Sequence, residues 1–241
     1  MGYTALKFEP FGDAYRFIDG DELRRSLAIV AAVREAVGES VDILIEGHDR
    51  FSVSTAIEVG RALAEYRPFW FETPVMSTEV AAMTEVARAV PVRIVGGERF
   101  ARKTDFARLL GTGVIDVVQP EILHCGGVSG LTKIAALAEA HEAFVAPHNA
   151  QSPFTTVVNA HVGVTLPNLL IQECFDDFLV AWSRDIMTGT VQIIDGFIHA
   201  LDGPGFGVTL DEPEMTKYPY ADRNFLRLFE GGWERRKPGA A

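Results

Sequence analysis

The sequence predicts an α/β protein built as a parallel (β/α) TIM-type barrel, on three observations. Apolar strand-like runs alternate with amphipathic helical stretches from Thr4 to about Gln172. Glu46, Glu72 and Glu98 recur 26 residues apart, and each closes one of the apolar runs. One strand plus one helix fills about that length, which is the natural step of a barrel whose chemistry sits at the C-terminal ends of its strands.

Seven strands are predicted, over Thr4–Phe8, Val41–Glu46, Phe69–Glu72, Val92–Val95, Ile115–Val118, Phe144–Ala146 and Leu169–Gln172. They read as short, nearly continuous apolar runs because strands of a parallel sheet are covered on both faces. Helices are predicted over Glu22–Val37, Ser54–Glu65, Thr78–Ala89, Lys103–Leu110, Gly130–His141 and Pro153–Val164. Ser52 is a candidate N-cap for the second, and the fifth follows a turn at Gly126 and Gly127. After Gln172 the rhythm breaks into a Gly- and Pro-rich tail that includes Asp202-Gly203-Pro204-Gly205-Phe206-Gly207, expected to pack on something other than the barrel. The expected division is a barrel domain over residues 1–189 and a C-terminal segment over 190–241. Met1-Gly2-Tyr3 runs straight into a strand, so the barrel is expected to be incomplete at its N-terminus, its first strand missing.

The chain has 48% hydrophobic and 23% charged residues, which suits a soluble protein with a sizeable core. A net charge of −11 argues against nucleic acid or an anionic membrane as partner. It leaves room for an anionic substrate, since a bound cation inverts the local sign. Cys125 and Cys174 form no disulfide framework and no CxxC motif, so a reduced, cytoplasmic setting is expected. No stretch approaches the roughly 18 apolar residues of a membrane span, and no signal-peptide layout opens the chain.

With 33 acidic residues, about half a carboxylate triple is expected by chance at any one fixed spacing, so the strand ends carry the weight. A single glutamate there is more often solvated or paired with a Lys or Arg. Three at matching strand ends point to a metal site, and oxygen-only donors select a hard cation such as Mg²⁺. His48 follows Glu46 by two residues, so on an extended chain both side chains share a face. His148 ends Phe144-Val145-Ala146-Pro147-His148, and Glu121 ends the preceding strand. On neighbouring strand ends a carboxylate can hold one imidazole nitrogen and set the tautomer of the ring. Glu173 stands at the end of the last strand, as a rim charge or a contact to a substrate oxygen. His124, His141, His161 and His199 read as structural or surface groups.

The ordered series Glu46-x-His48, Phe71-Glu72-Thr73-Pro74, Gly96-Gly97-Glu98-Arg99, Gln119-Pro120-Glu121, Ala146-Pro147-His148 and Gln172-Glu173 resembles the enolase superfamily. More narrowly it is similar to the mandelate racemase subgroup and its sugar acid dehydratases, such as galactonate, gluconate and mannonate dehydratases, from Gly2 to the Pro204–Gly207 tail. The resemblance implies that Glu46, Glu72 and Glu98 bind Mg²⁺, that His148 with Glu121 is the base dyad and that His48 is the acid. It further implies a homo-oligomeric lyase acting on a small-molecule acid sugar, and a capping domain of roughly a hundred residues that this sequence lacks. Glu121 stands where the subgroup more often has Asp, and Glu46 where the first ligand is often Asp. Lys7-Phe8-Glu9 replaces the Lys-x-Lys of the racemases, which disfavours two-base racemisation and favours elimination. The expected function is dehydration of an aldonate or aldarate to a 2-keto-3-deoxy acid. Epimerisation or racemisation of a 2-hydroxy acid, or an inactive barrel fragment, are the alternatives.

Overall fold

The computed structural model describes residues 2–219. They fall into two compact units, one of residues 4–95 and one of residues 2–3 with 96–219. The last part of the predicted C-terminal segment, residues 220–241, lies outside the described residues.

The first unit is a parallel four-stranded sheet in the order β1 (Ala5–Phe8), β2 (Asp42–Glu46), β3 (Trp70–Glu72), β4 (Ile94–Val95). Helices α1 (Gly20–Val37), α2 (Val53–Leu63) and α3 (Val80–Ala89) alternate with the strands. Helix α1 starts two residues before the predicted Glu22, because Asp19 accepts from the backbone N–H of Asp21 and Glu22 while Glu22 reaches back to Asp19 N. That reciprocal capping box satisfies donors the first turn leaves open. Ser52 caps α2 as predicted, through Thr55 N. Val30, Leu63, Met83 and Val86 pack inward from the helices, and Ile43, Ile45 and Phe71 from the strands. Phe11 meets Phe51 edge-on at 5.0 Å between ring centroids, and each such fully buried side chain contributes about 1.5–3 kcal/mol. The register sets Glu46 opposite Glu72, the relationship on which the site depends.

In the second unit α4 (Lys103–Leu110), β5 (Val117–Val118), α5 (Gly127–Ala140), β6 (Phe144–Val145) and α6 (Pro153–Gly163) follow the predicted order. Strands β5 and β6 are parallel, and single bridges extend the ladder from Gly96 to Val118 and from Val145 to Leu169. The seventh predicted strand, Leu169–Gln172, is therefore one bridge at Leu169 rather than a strand. Leu170 N donates to Val145 O and Val145 N to Asn168 O, and the pairing ends there. Beyond it lie β7 (Met187–Thr188), β8 (Ile193–Ile194), β9 (Phe197–Ile198), β10 (Thr209–Leu210) and a short α7 (Glu212–Met215). Strands β8 and β9 form a hairpin through Asp195 and Gly196, both at positive φ, the chemistry of a tight two-residue turn. Part of the tail packs on α6 itself: Phe206 stacks edge-on with Phe154 and His161 and its carbonyl lies 3.1 Å from His161 Nε2. Among the described residues no helix is long and apolar enough to cross a membrane.

Candidate active site

The C-terminal ends of β2 and β3 carry two buried carboxylates side by side. Glu46 Oε1 accepts from His48 N and from Thr73 Oγ1, both at 2.7 Å. Glu72, with no exposed surface, accepts from Lys7 Nζ at 2.8 Å and from Trp70 Nε1 at 3.0 Å. Lys7 also lies 3.6 Å from Glu46 Oε2, so one ammonium offsets the repulsion of two neighbouring carboxylates. Gly47 lets the two strand ends approach, because a Cβ there would stand 2.9 Å from both Pro74 Cα and Thr73 O.

His48 does not share Glu46's face by strand alternation, as the extended-chain argument expects. The chain turns at His48 (φ +50°) and Asp49 (φ +58°), and this left-handed pair ends the strand. The turn is held by Asp49 N donating to Thr73 O at 2.8 Å and by Ser77 N donating to the Asp49 carboxylate at 2.8 Å. His48 Nδ1 faces the carboxylate of Glu9, which also pairs with the fully buried Arg50. Burial pulls the Arg50 guanidinium below the usual arginine range, and the charge of Glu9 opposes that shift. Glu9 and Arg50 are site residues that the strand-end pattern misses. The signal that could have found Glu9 is its position, one residue past the C-terminal end of β1 and two after Lys7, at the same rim as the other strand-end carboxylates.

In the second unit Glu98, Glu121 and His148 come together. His148 Nδ1 lies 2.7 Å from Glu121 Oε2, and the two residues are bridge partners on adjacent strand ends. The other oxygen of Glu121 accepts from Leu123 N at 3.0 Å, so a fully buried carboxylate is fixed at both ends. His148 Nε2 stands 3.3 Å from Glu98 Oε2, a buried oxygen with no hydrogen-bond partner. Gly97 carries the chain to Glu98 at φ +128°, where a Cβ would stand 2.7 Å from the Phe106 ring. His124, read from the sequence as structural, lies with Nδ1 3.0 Å from the Glu98 carbonyl and steadies that backbone.

Glu173 is engaged with the loop that follows His148. Its Oε2 accepts from Asn149 N at 2.7 Å, and its carbonyl accepts from Asn149 Nδ2 at 3.0 Å. Asn149 is also bound by Thr156, to which it donates, and by Thr155, from which it accepts, both at 2.7 Å. The residue next to His148 is thereby tied to the first turn of α6 and to the end of the last βα unit.

The chemistry available divides between the units. Residues 4–95 supply Glu46 and Glu72 with Lys7, and a histidine backed by a carboxylate. Residues 96–219 supply Glu98 and a second histidine backed by a carboxylate. Glu46 and Glu72 in the first unit, and Glu98 in the second, are carboxylates of the kind that serve as metal ligands. Their donors are all oxygen, and Glu98 Oε2 is a buried acceptor with no donor, an arrangement that fits a hard cation.

The family model described as enolase C-terminal domain-like matches residues 1–214. A D-gluconate dehydratase of Thermoproteus tenax is 37% identical over 90% of this chain and 44% of its own length. A D-gluconate/D-galactonate dehydratase of Picrophilus torridus is 37% identical over 96% of this chain and 59% of its own. The solved structure of a mandelate racemase/muconate lactonizing enzyme from Sulfitobacter sp. is similar with a TM-score of 0.85 at 35% identity, over 91% of this chain and 56% of that one. The chain thus spans about half the length of the relatives it matches.

Proposed function

The chain belongs to the enolase C-terminal domain-like family and has its α/β, TIM-barrel-like fold, and on that premise we propose that it is the barrel of a Mg²⁺-dependent sugar acid dehydratase. The observation that carries the proposal is the His148–Glu121 pair at 2.7 Å, a base already oriented. Support for the substrate class comes from the relatives named as dehydratases of gluconate and galactonate.

Glu46, Glu72 and Glu98 are the proposed ligands. A bound divalent cation would offset the negative charge that builds on the substrate carboxylate as the proton leaves C2. His148 takes that proton at Nε2 while Glu121 holds the proton on Nδ1, so the ring becomes an imidazolium beside a buried carboxylate. The C2 electrons then form the C2–C3 double bond, the C3–O bond breaks, and His48 gives its proton to the departing hydroxyl, releasing water. The enol left behind tautomerises to the 2-keto-3-deoxy acid, His148 releases the proton it took to solvent, and solvent restores the proton on His48. Glu173, held by Asn149, is the proposed substrate-facing carboxylate. A racemase would want a second base opposite His148. Glu9, engaged with Arg50 and His48, stands where that lysine would be, which favours elimination.

The test follows D-gluconate, D-galactonate and D-xylonate by proton NMR in D₂O, with and without chelator. Keto acid formation that requires Mg²⁺ is expected. Exchange at C2 with no loss of water would replace the dehydratase reading with an epimerase.

A further inference from the structure

The carboxylate of Glu9 touches both a candidate catalytic histidine and a fully buried arginine. Oε2 meets His48 Nδ1 and Oε1 meets Arg50 Nη2, so the two oxygens have separate duties. Arg50 in turn cannot swing: it donates to Gly12 O at 2.7 Å, to Ala14 O at 2.9 Å and to Gly47 O at 3.1 Å, with no exposed surface. Those carbonyls belong to the loop after β1 and to the residue that follows β2. The guanidinium is therefore a fixed peg, and Glu9 is oriented by it rather than by solvent, since its side chain is 7% exposed.

We propose that Glu9 is a positioning residue for His48, which selects the tautomer with the ring proton on Nδ1. The inference rests on the reading of His48 as the acid. An ionised carboxylate only accepts, so the imidazole nitrogen facing it must donate. With Nδ1–H held, proton exchange with substrate runs through Nε2, and the ring plane is set against the left-handed turn at His48 and Asp49. A carboxylate behind an imidazole has this orienting effect wherever the other nitrogen does the work. Glu9 needs no contact with the reacting atoms. Arg50 acts one step further back, by keeping Oε1 occupied so that Oε2 is the oxygen presented to the ring.

The experiment is a long-range ¹H–¹⁵N correlation of the His48 ring in the full chain, without substrate, at alkaline pH where the ring is neutral. His48→Asn assigns the signal by its disappearance. The wild-type ring is expected to carry its proton on Nδ1. In Glu9→Gln the arginine claims the amide oxygen and the amide NH₂ turns to Nδ1, which must then accept, so the proton pattern is expected to invert to Nε2–H. A wild-type ring protonated on Nε2, or a folded Glu9→Gln with the wild-type pattern, would overturn the proposal. If Glu9→Gln does not fold, the wild-type spectrum alone decides. A merely structural ion pair between Glu9 and Arg50 would leave the tautomer unmoved. Failure of His48 as the acid reads out separately, as dehydration that survives His48→Asn whatever the tautomer.

Discussion

Glu121 Oε2 lies 2.7 Å from His148 Nδ1, and the two residues are bridge partners at the ends of neighbouring parallel strands. The backbone thus delivers the pair, and the hydrogen bond needs only short side chains in ordinary positions. The extra methylene of Glu121 relative to Asp is taken up by its second contact, to Leu123 N at 3.0 Å.

From that dyad it follows that the two histidines separate the reaction into halves. His148→Asn should lower exchange of the C2 hydrogen with D₂O by about 10²–10⁴-fold, and dehydration with it, since a positioned base contributes about that much. His48→Asn should lose dehydration while keeping exchange, because Glu121 and His148 are untouched. Proton NMR of the C2 signal with keto acid measured in parallel checks both. Exchange surviving in His148→Asn and lost in His48→Asn would reverse the two roles.

Removing one anionic ligand should cost cation binding before it costs the fold. Glu98→Gln keeps the volume and hydrogen-bonding capacity of a side chain whose Oε2 is buried without a hydrogen-bond partner. Calorimetric titration with Mg²⁺ should show weaker binding by tenfold or more, on the order of 1.4 kcal/mol, with unchanged circular dichroism. An unchanged affinity would remove Glu98 from the ligand set.

Arg50→Ala should destabilise the chain by about 3–5 kcal/mol, the usual result of leaving the partner of a buried charge uncompensated. Arg50 has no exposed surface, and its loss strands the carboxylate of Glu9 and the carbonyls of Gly12, Ala14 and Gly47. Arg24→Ala is the matching surface control. Its pair with Asp21 is 72% and 88% exposed, so urea unfolding should move by less than about 0.5 kcal/mol. Equal effects of the two would show that the Arg50 cluster contributes no more than a solvated pair.

Both cysteines should be slow nucleophiles at neutral pH. Burial raises the thiols of Cys125 and Cys174 to about 11, so the protonated form persists until the pH nears that value. At pH 8 only about one thiol in a thousand is thiolate, and alkylation by iodoacetamide should rise about tenfold per pH unit up to roughly pH 10. Mass spectrometry of the labelled chain should find Cys174 ahead of Cys125, because Cys125 is 6% exposed and Cys174 less buried. Fast labelling at pH 7 would contradict the shift.

What the sequence by itself determined was local and periodic. Strands β1–β6 and helices α1–α6 follow from apolar runs, 3.6-residue periodicity and caps such as Ser52, all of which act over a few residues. The hairpin turn at Asp195-Gly196, absent from the predicted strand pattern, has a local signal too, an Asp-Gly pair between two apolar pairs. Glu46 and Glu72 could be set side by side from the sequence because consecutive parallel strands end at one rim, and the register bears that out. The pairing of His148 with Glu121 follows from the same rule.

Only the tertiary structure decided the rest. Leu169–Gln172 is as apolar as a strand, yet it pairs through a single bridge, since pairing depends on where its neighbour ends. His48 leaves the strand through a left-handed turn whose hydrogen bonds come from the next strand's loop. Glu9, 39 residues from His48 and 41 from Arg50, could have paired with any of several basic groups. Local sequence determines which shapes each segment prefers. Which of several chemically equivalent partners a buried charge meets is settled only when packing excludes water and leaves one donor within reach.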